Sequence, residues 1–340
     1  MSSKFNASVP DADSLVRLHL SESPYGASRW AVEAAERELR RVNIYPDPER
    51  SALVGALAEH WGVGRDRVAV ANGSDELVLA CALTLGERSR PGLVTTGTFP
   101  GYRSCLDRVG RGCTAVALDV GEFAERLPEH GIGYICNPHN PSGSALSRVD
   151  MDTLVARAED SGVPLVFDEA YMDFADPDTP QVRDYLSSDA PIIALRTFSK
   201  AYGLAALRVG YAVGAAALLS ELAETLRTLP FSANRLAQAA ALAALADQDF
   251  LRGVRDANAA QRVWFAEELT RRGRGFLPTT TNFMAVDVAD SALAQNRLAD
   301  EHGILVRDAG LFGSPGYVRV SLGSRDDLLH LLKALDDLGL

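Results

Sequence analysis

The sequence predicts an α/β protein: a large domain on a mostly parallel sheet flanked by helices, followed by a smaller α+β C-terminal domain. Three observations carry this expectation. Strand-like apolar runs alternate with helical stretches as far as Gly214, the pattern of a parallel sheet covered on both faces. Beyond Gly214 the texture changes to long helices and then a few isolated strands. A chain of 340 residues is also long for one compact core. The expected division is an N-terminal arm at 1–27, a large domain at 28–228 and a small domain at 229–340.

In chain order, residues 28–41 carry apolar side chains at helical spacing. A turn at 43–48 leads to a second helix at 49–61. Residues 68–71 form a short apolar strand, and Gly73-Ser74-Asp75-Glu76 opens an apolar helix at 77–85. Ser74 stands where a cap belongs, with two acids in the first turn. Strands are expected at 93–96, 115–120, 134–136, 164–167, 192–195 and 209–213, with helices at 102–110, 147–161 and 181–187. Long helices then cover 215–228, 233–247 and 251–273. Strands at 282–286 and 318–322 and helices at 291–302 and 325–338 complete the chain.

Composition excludes several classes. A formal net charge of −11 argues against nucleic acid as partner, since phosphate backbones need clustered positive charge. No window is apolar enough to span a membrane, and the N-terminus has no signal core. Cys81, Cys105, Cys113 and Cys136 form no CxxC pair and no metal-like cluster, so no metal site is expected. Cys81 and Cys136 sit in apolar stretches and read as small buried hydrophobes. Free thiols suit a reducing compartment, and the cytoplasm is the expected location.

Of 34 basic residues only Lys4, Lys200 and Lys333 are lysine. Arginine serves almost everywhere a cation suffices, and Lys200 is the one lysine in the body of the chain. Arginine cannot replace lysine where a deprotonated amine must attack a carbonyl. That singles out Lys200.

Four segments place reactive residues just after expected strands, where ligands of α/β sheets bind. Asp168 closes one strand, with Tyr171 three residues on. Arg196-Thr197-Phe198-Ser199-Lys200 follows the next, offering two hydroxyls and an amine, and Arg208 can join the same anion. Asn137-Pro138-His139-Asn140-Pro141-Ser142-Gly143 is a rigid turn, with His139 read as an exposed loop residue. Gly73-Ser74-Asp75 starts a helix, where backbone amides make an anion site. Phe99 follows a further strand and can stack on an aromatic ligand. Gly131-Ile132-Gly133 precedes a strand rather than joining strand to helix, so it is no dinucleotide fingerprint.

Taken in order, Asn-Gly-Ser-Asp-Glu, Thr-Phe-Pro-Gly-Tyr, Asn-Pro-His-Asn-Pro-Ser-Gly, Asp-Glu-Ala-Tyr and Arg-Thr-Phe-Ser-Lys-Ala-Tyr-Gly-Leu-Ala resemble the pyridoxal-phosphate (PLP) aminotransferases of fold type I. Within these the chain is most similar to the histidinol-phosphate aminotransferase group, from about residue 18 to its end. The resemblance implies that Lys200 carries the coenzyme and shuttles the Cα proton. It implies that Asp168 holds the pyridine nitrogen, that Asn140 and Tyr171 bond the ring's O3′, and that Phe99 stacks on the ring. Gly73, Ser74, Asp75, Thr197, Ser199 and Arg208 would cradle the phosphate. Tyr45 would reach the phosphate in a neighbouring subunit, which implies a homodimer.

On the substrate side the resemblance implies Arg319, with Arg307 as a second anion holder, and Tyr25 in the N-terminal segment bordering the pocket. The expected reaction is ping-pong transamination from an amino donor to a 2-oxo acid, through pyridoxamine phosphate. A decarboxylase, lyase or cyclase of the threonine-phosphate decarboxylase kind shares every coenzyme contact and stands as the alternative. Three departures from the group bear on the substrate. Ser21-Glu22-Ser23-Pro24-Tyr25-Gly26 replaces Asn-Glu-Asn-Pro-Tyr-Gly, Phe99 stands where tyrosine is common, and Ala206 replaces a glycine. Imidazole, aromatic and phosphorylated amines all remain compatible as donors.

Overall fold

The computed structural model describes residues 15–340; Lys4 and most of the arm expected at 1–27 lie outside the described residues. In chain order the elements are β1 (Val16–Arg17), α1 (Arg29–Leu39), α2 (Ser51–Trp61), β2 (Val68–Ala71), α3 (Ser74–Thr84), β3 (Gly92–Thr95), α4 (Gly101–Arg108), β4 (Cys113–Val116), α5 (Val120–Arg126), β5 (Ile132–Cys136), α6 (Arg148–Ser161), β6 (Leu165–Asp168), β7 (Ile192–Thr197) and β8 (Gly210–Gly214). There follow α7 (Ala216–Leu226), α8 (Arg235–Ala246), α9 (Gln248–Arg271), β9 (Phe276–Leu277), β10 (Phe283–Asp287), α10 (Ser291–His302), β11 (Ile304–Leu305), β12 (Arg307–Asp308), β13 (Tyr317–Ser321) and α11 (Arg325–Leu338).

The large sheet has seven strands in the order β2-β8-β7-β6-β5-β3-β4. From β7 to β4 all neighbours are parallel, and β8 runs antiparallel to both β7 and β2. Parallel neighbours need crossovers, which put helices on both faces. That explains why β2, β3, β5, β6, β7 and β8 read as unbroken apolar runs rather than alternating ones: every residue of them is buried. Alternate side chains feed two cores, Phe167 and Ile135 into one and Val166, Tyr134 and Cys136 into the other.

The second sheet is antiparallel, in the order β12-β13-β10-β9. Met284, Val286, Val318 and Val320 pack with Phe265, Leu298, Leu331 and Leu335 in a separate core. Two features depart from the expected division of the chain. β1 pairs with β11, and Leu18 enters this second core, so the segment after residue 15 belongs to the small lobe. α8, placed in the small domain by the change of texture, contributes Ala237, Ala240, Ala241 and Ala244 to the large core. α9 then joins the lobes, with Val254 packed beside Phe174 and Ala201, and Phe265 and Leu269 in the small core.

Other differences are local. The stretch read as a strand at 115–120 ends at Val116, and Asp119 caps α5 by accepting from the Glu122 amide. The helix expected at 181–187 is a short 3-10 turn at Val182–Tyr185. Among the described residues no helix is long and apolar enough to cross a membrane.

Candidate active site

Because β3, β5, β6 and β7 are parallel, the loops that follow them leave one edge of the sheet, and a cleft opens there against the small lobe. β6 ends at Asp168, β7 at Thr197, and β5 one residue before the Asn137 turn. Ser74, Asp75, Phe99, Asn140, Asp168, Tyr171, Thr197, Ser199, Lys200, Arg208, Arg307 and Arg319 all line this cleft. Side chains spread over some 250 positions of sequence are thus brought together, most by the strand order of the large sheet and Arg307 and Arg319 by the small lobe.

One wall is built to hold an anion. The N-cap of α3 is Gly73, not Ser74, and no side chain caps the helix. Gly73 has φ +83°, a conformation side-chain-bearing residues rarely adopt, so the chain passes from β2 almost directly into α3. The amide end of α3 therefore lacks a side-chain acceptor at the cleft wall, an arrangement suited to anions. Arg208 donates to Ser199 Oγ at 3.3 Å and to the Asp75 carboxylate at 2.9 Å. A β-carbon on Gly73 would stand 2.7 Å from Arg208 Nη2, so glycine leaves room for the guanidinium at the helix end. The Ser199 amide donates to Thr197 Oγ1 at 3.1 Å, fixing the loop. Amides, hydroxyls and one guanidinium form a donor set matched to a phosphate monoester.

At the centre, burial pushes the Asp168 carboxyl up, opposed by a hydrogen bond from the Tyr102 hydroxyl at 2.5 Å and one from the Ala170 amide at 3.2 Å. Lys200 Nζ donates to the Leu20 carbonyl at 2.7 Å and lies 5.6 Å from the centre of the Tyr171 ring. Burial first, and then the Arg319 charge, bring its amine down to about 8, against the pull of Glu22 and Asp75. The Tyr171 ring packs edge-on against Phe283 at 5.0 Å.

Arg319 marks the small-lobe wall. It is 6% exposed, yet its partners are neutral: Nη1 donates to Asn140 Oδ1 at 2.6 Å, Nη2 donates to the His19 carbonyl at 2.8 Å, and Nε has no acceptor. Arg196 is equally buried but lies against two carboxylates, Glu169 at 2.8 Å and Asp173 at 3.0 Å. Leaving a buried charge without a counter-ion costs several kcal/mol, so Arg319 reads as a cation awaiting an anionic ligand. Arg307 lies on the same wall, its guanidinium 5.2 Å from the centre of the Phe312 ring.

The structure does not bring every expected residue to the cleft. Tyr25 packs beside Phe174, Ala201 and Val254, because the chain turns at Gly26 (φ +70°) and carries the ring into that cluster. Tyr45 is 73% exposed and stacks on Phe231 at 4.5 Å, away from this cleft. His139 is not an exposed loop residue: it is buried, its Nδ1 is 2.8 Å from Ser142 Oγ, and burial brings it down to about 4. The tight turn folds back on itself and encloses the ring.

Sequence reasoning missed Tyr102 and His19. Tyr102 lies in the first turn of α4, three residues after Phe99 and in the same Thr-Phe-Pro-Gly-Tyr segment, and that proximity was the available signal. His19 has no local signal; it lines the cleft because β1 is carried there by β11. Burial brings its imidazole down to about 4, and Nδ1 lacks a partner.

The donor set fits a phosphorylated pyridine aldehyde. There is an anion cradle at one end, a buried carboxylate for a ring nitrogen, an aromatic wall at Phe99, and an amine partly in its reactive form. Comparison with known proteins agrees. The family model described as aminotransferase class I and II matches residues 14–335. The histidinol-phosphate aminotransferase of Brevibacillus brevis is 34% identical over 94% of this chain and 90% of the relative. That of Bacillus subtilis is 32% identical over 96% of this chain and 92% of its own length. The crystal structure of histidinol-phosphate aminotransferase from Sinorhizobium meliloti in complex with pyridoxal-5′-phosphate superposes with a TM-score of 0.81 at 30% identity, covering 95% of this chain and 90% of that one.

Proposed function

This chain belongs to the class I and II aminotransferases, and from that premise we propose that its cleft transfers the amino group of histidinol phosphate, or a related aromatic amino compound, to a 2-oxo acid with Lys200 as the central residue. It is a PLP-dependent transaminase of fold type I. The decarboxylase, lyase or cyclase alternative is not favoured, since the named relatives are aminotransferases. The observation that carries the reading is Lys200: the one lysine between residues 5 and 332 lines the cleft with its amine held near 8.

The coenzyme, when bound, supplies an electron sink for charge developing at the substrate Cα. This chain's residues do the rest. The amide end of α3 at Ser74 and Asp75, with Thr197, Ser199 and Arg208, holds the phosphate. Asp168 would offer a carboxylate to the ring nitrogen, Phe99 an aromatic face to the ring, and Asn140 and Tyr171 polar atoms to its O3′ oxygen. Lys200 Nζ would take the proton from the substrate Cα as a general base and, once protonated, would serve as the general acid of the following step at a different carbon. Arg319, steadied by Asn140, grips the substrate's anionic end, with Arg307 beside it.

The same reading makes the protein a cytoplasmic homodimer. Four unpaired cysteines support a reducing compartment. The exposed apolar group of Val42, Ile44, Tyr45, Leu229 and Phe231 supports a subunit interface through which Tyr45 reaches the partner's phosphate.

A panel of amino donors, followed by the visible absorption of the bound coenzyme, tests the reading, with Lys200→Ala as control. Histidinol phosphate is expected to convert the coenzyme to its amine form, and 2-oxoglutarate to reverse the change. Release of carbon dioxide with no requirement for a 2-oxo acid would overturn it.

A further inference from the structure

We propose that Tyr102 is a positioning residue for Asp168: its phenol fixes one carboxylate oxygen so that the carboxylate stays ionised and aimed at the coenzyme's ring nitrogen. The inference rests on the role given to Asp168 above.

The Tyr102 hydroxyl donates to Asp168 Oδ2 at 2.5 Å, and the Ala170 amide donates to Oδ1 at 3.2 Å. Two oxygens offer about four acceptor sites. Two are used, one on each oxygen, and these clamp the carboxylate against rotation while leaving acceptor capacity for a ring N–H. The phenol cannot easily leave. Its ring is fully buried, stacked on Tyr134 at 5.3 Å with 13° between planes, and edge-on to Phe99 at 5.4 Å. The same residue therefore backs both the carboxylate and the aromatic wall proposed to cover the coenzyme.

A core tyrosine that merely satisfies its hydroxyl has cheaper options. Neighbouring Tyr134, equally buried, donates to the Val78 carbonyl at 3.2 Å. Tyr102 instead spends its only donor on a carboxylate, where charge-assisted bonds are short and strong. Burial drives the phenol well above its ordinary range, so it stays a donor. A donor favours the ionised form of its acceptor, and here it opposes the burial that pushes Asp168 toward neutrality. A neutral carboxyl could not pair with a protonated pyridine.

Tyr102→Phe keeps the stacked ring and removes the hydroxyl. Apoenzyme is titrated with pyridoxal phosphate to obtain its dissociation constant, and the visible band of the bound coenzyme is followed against pH. The same two measurements are made in an Asp168→Asn background, with apoenzyme melting recorded for all four proteins. The expected result is coenzyme binding weaker by about tenfold or more and a displaced pH midpoint, both confined to the background that keeps Asp168. Wild-type affinity and midpoint in Tyr102→Phe would overturn the inference. So would equal losses in both backgrounds, or a loss that only tracks apoenzyme unfolding. Failure of the wild type itself to load coenzyme on Lys200 would instead overturn the proposed function.

Discussion

Arg319 donates to the Asn140 side-chain oxygen at 2.6 Å, joining the central strand of the small lobe to the turn after β5 of the large sheet. This contact between a buried cation and a neutral acceptor bounds the cleft.

Asn140→Ala is expected to raise KM for amino donor and 2-oxo acid alike by roughly tenfold, the value of one hydrogen bond to a charged group. Arg319→Gln removes the cation itself and is expected to raise both by about a hundredfold or more. Steady-state kinetics with both substrates check the pair, and the order of the two effects is the point of comparison.

Lys200 sets a pH dependence. With its amine near 8, roughly a quarter is unprotonated at pH 7.5, against about one part in a thousand for an ordinary lysine. Capture of pyridoxal phosphate by apoenzyme is expected to quicken as pH rises and to level off above about 8. Arg319→Met removes the second cause of the lowering and moves the midpoint upward. Stopped-flow absorbance reads both midpoints.

His19 and His139 are both brought down to about 4 by burial. Between about 4 and 6.5 the unfolded chain binds protons at these sites and the folded chain does not. Stability is therefore lost as pH falls through that window, by up to about 1.4 kcal/mol per pH unit for each ring. Urea unfolding of apoenzyme at several pH values measures the slope, and His19→Asn is expected to flatten it.

Arg196→Met leaves Glu169, which is fully buried, without its cation. Destabilisation of about 3–5 kcal/mol is expected, read from the urea midpoint. Surface pairs such as Arg29–Glu33, with 88% and 41% of the side chains exposed, are expected to move it by less than about 1 kcal/mol.

Tyr45 gives a complementation test. Lys200→Ala and Tyr45→Ala proteins, dissociated and refolded together, are expected to yield hybrids with one complete site and measurable activity, although each parent is impaired. Hybrids no more active than the parents would contradict the reach of Tyr45 across the interface.

Much of this was legible from local sequence, and the reasons are specific. β2, β5, β6 and β7 are buried on both faces, so their apolar runs needed no alternation to be recognised. Lys200 stood out because arginine replaces lysine nearly everywhere else. Asp168 closes a strand and Ser199 lies just past one, where a parallel sheet collects its loops.

What was hidden depended on contacts distant in sequence. His19 reaches the cleft through the pairing of β1 with β11 and the bonds that the Leu18 and His19 carbonyls accept from Ser321 and Arg319, all some three hundred residues on. Tyr25 has the same composition around it whether it faces a substrate or Phe174, and a turn at Gly26 decides. α8 resembles the other late helices in texture, but its alanine face fits the surface of α1 in the large core. The His139 turn looked solvent-facing because its residues are polar, yet Ser142 Oγ lies within hydrogen-bond reach of both His139 Nδ1 and Ser144 Oγ, and Asn140 accepts from Arg319 across the cleft, so the turn is held in the interior.

The most direct test is to reduce the coenzyme-loaded protein with borohydride, digest it, and locate the pyridoxyl label by mass spectrometry. The account predicts a single labelled site at Lys200. Label on Lys333 or Lys4, or no label at all, would contradict it.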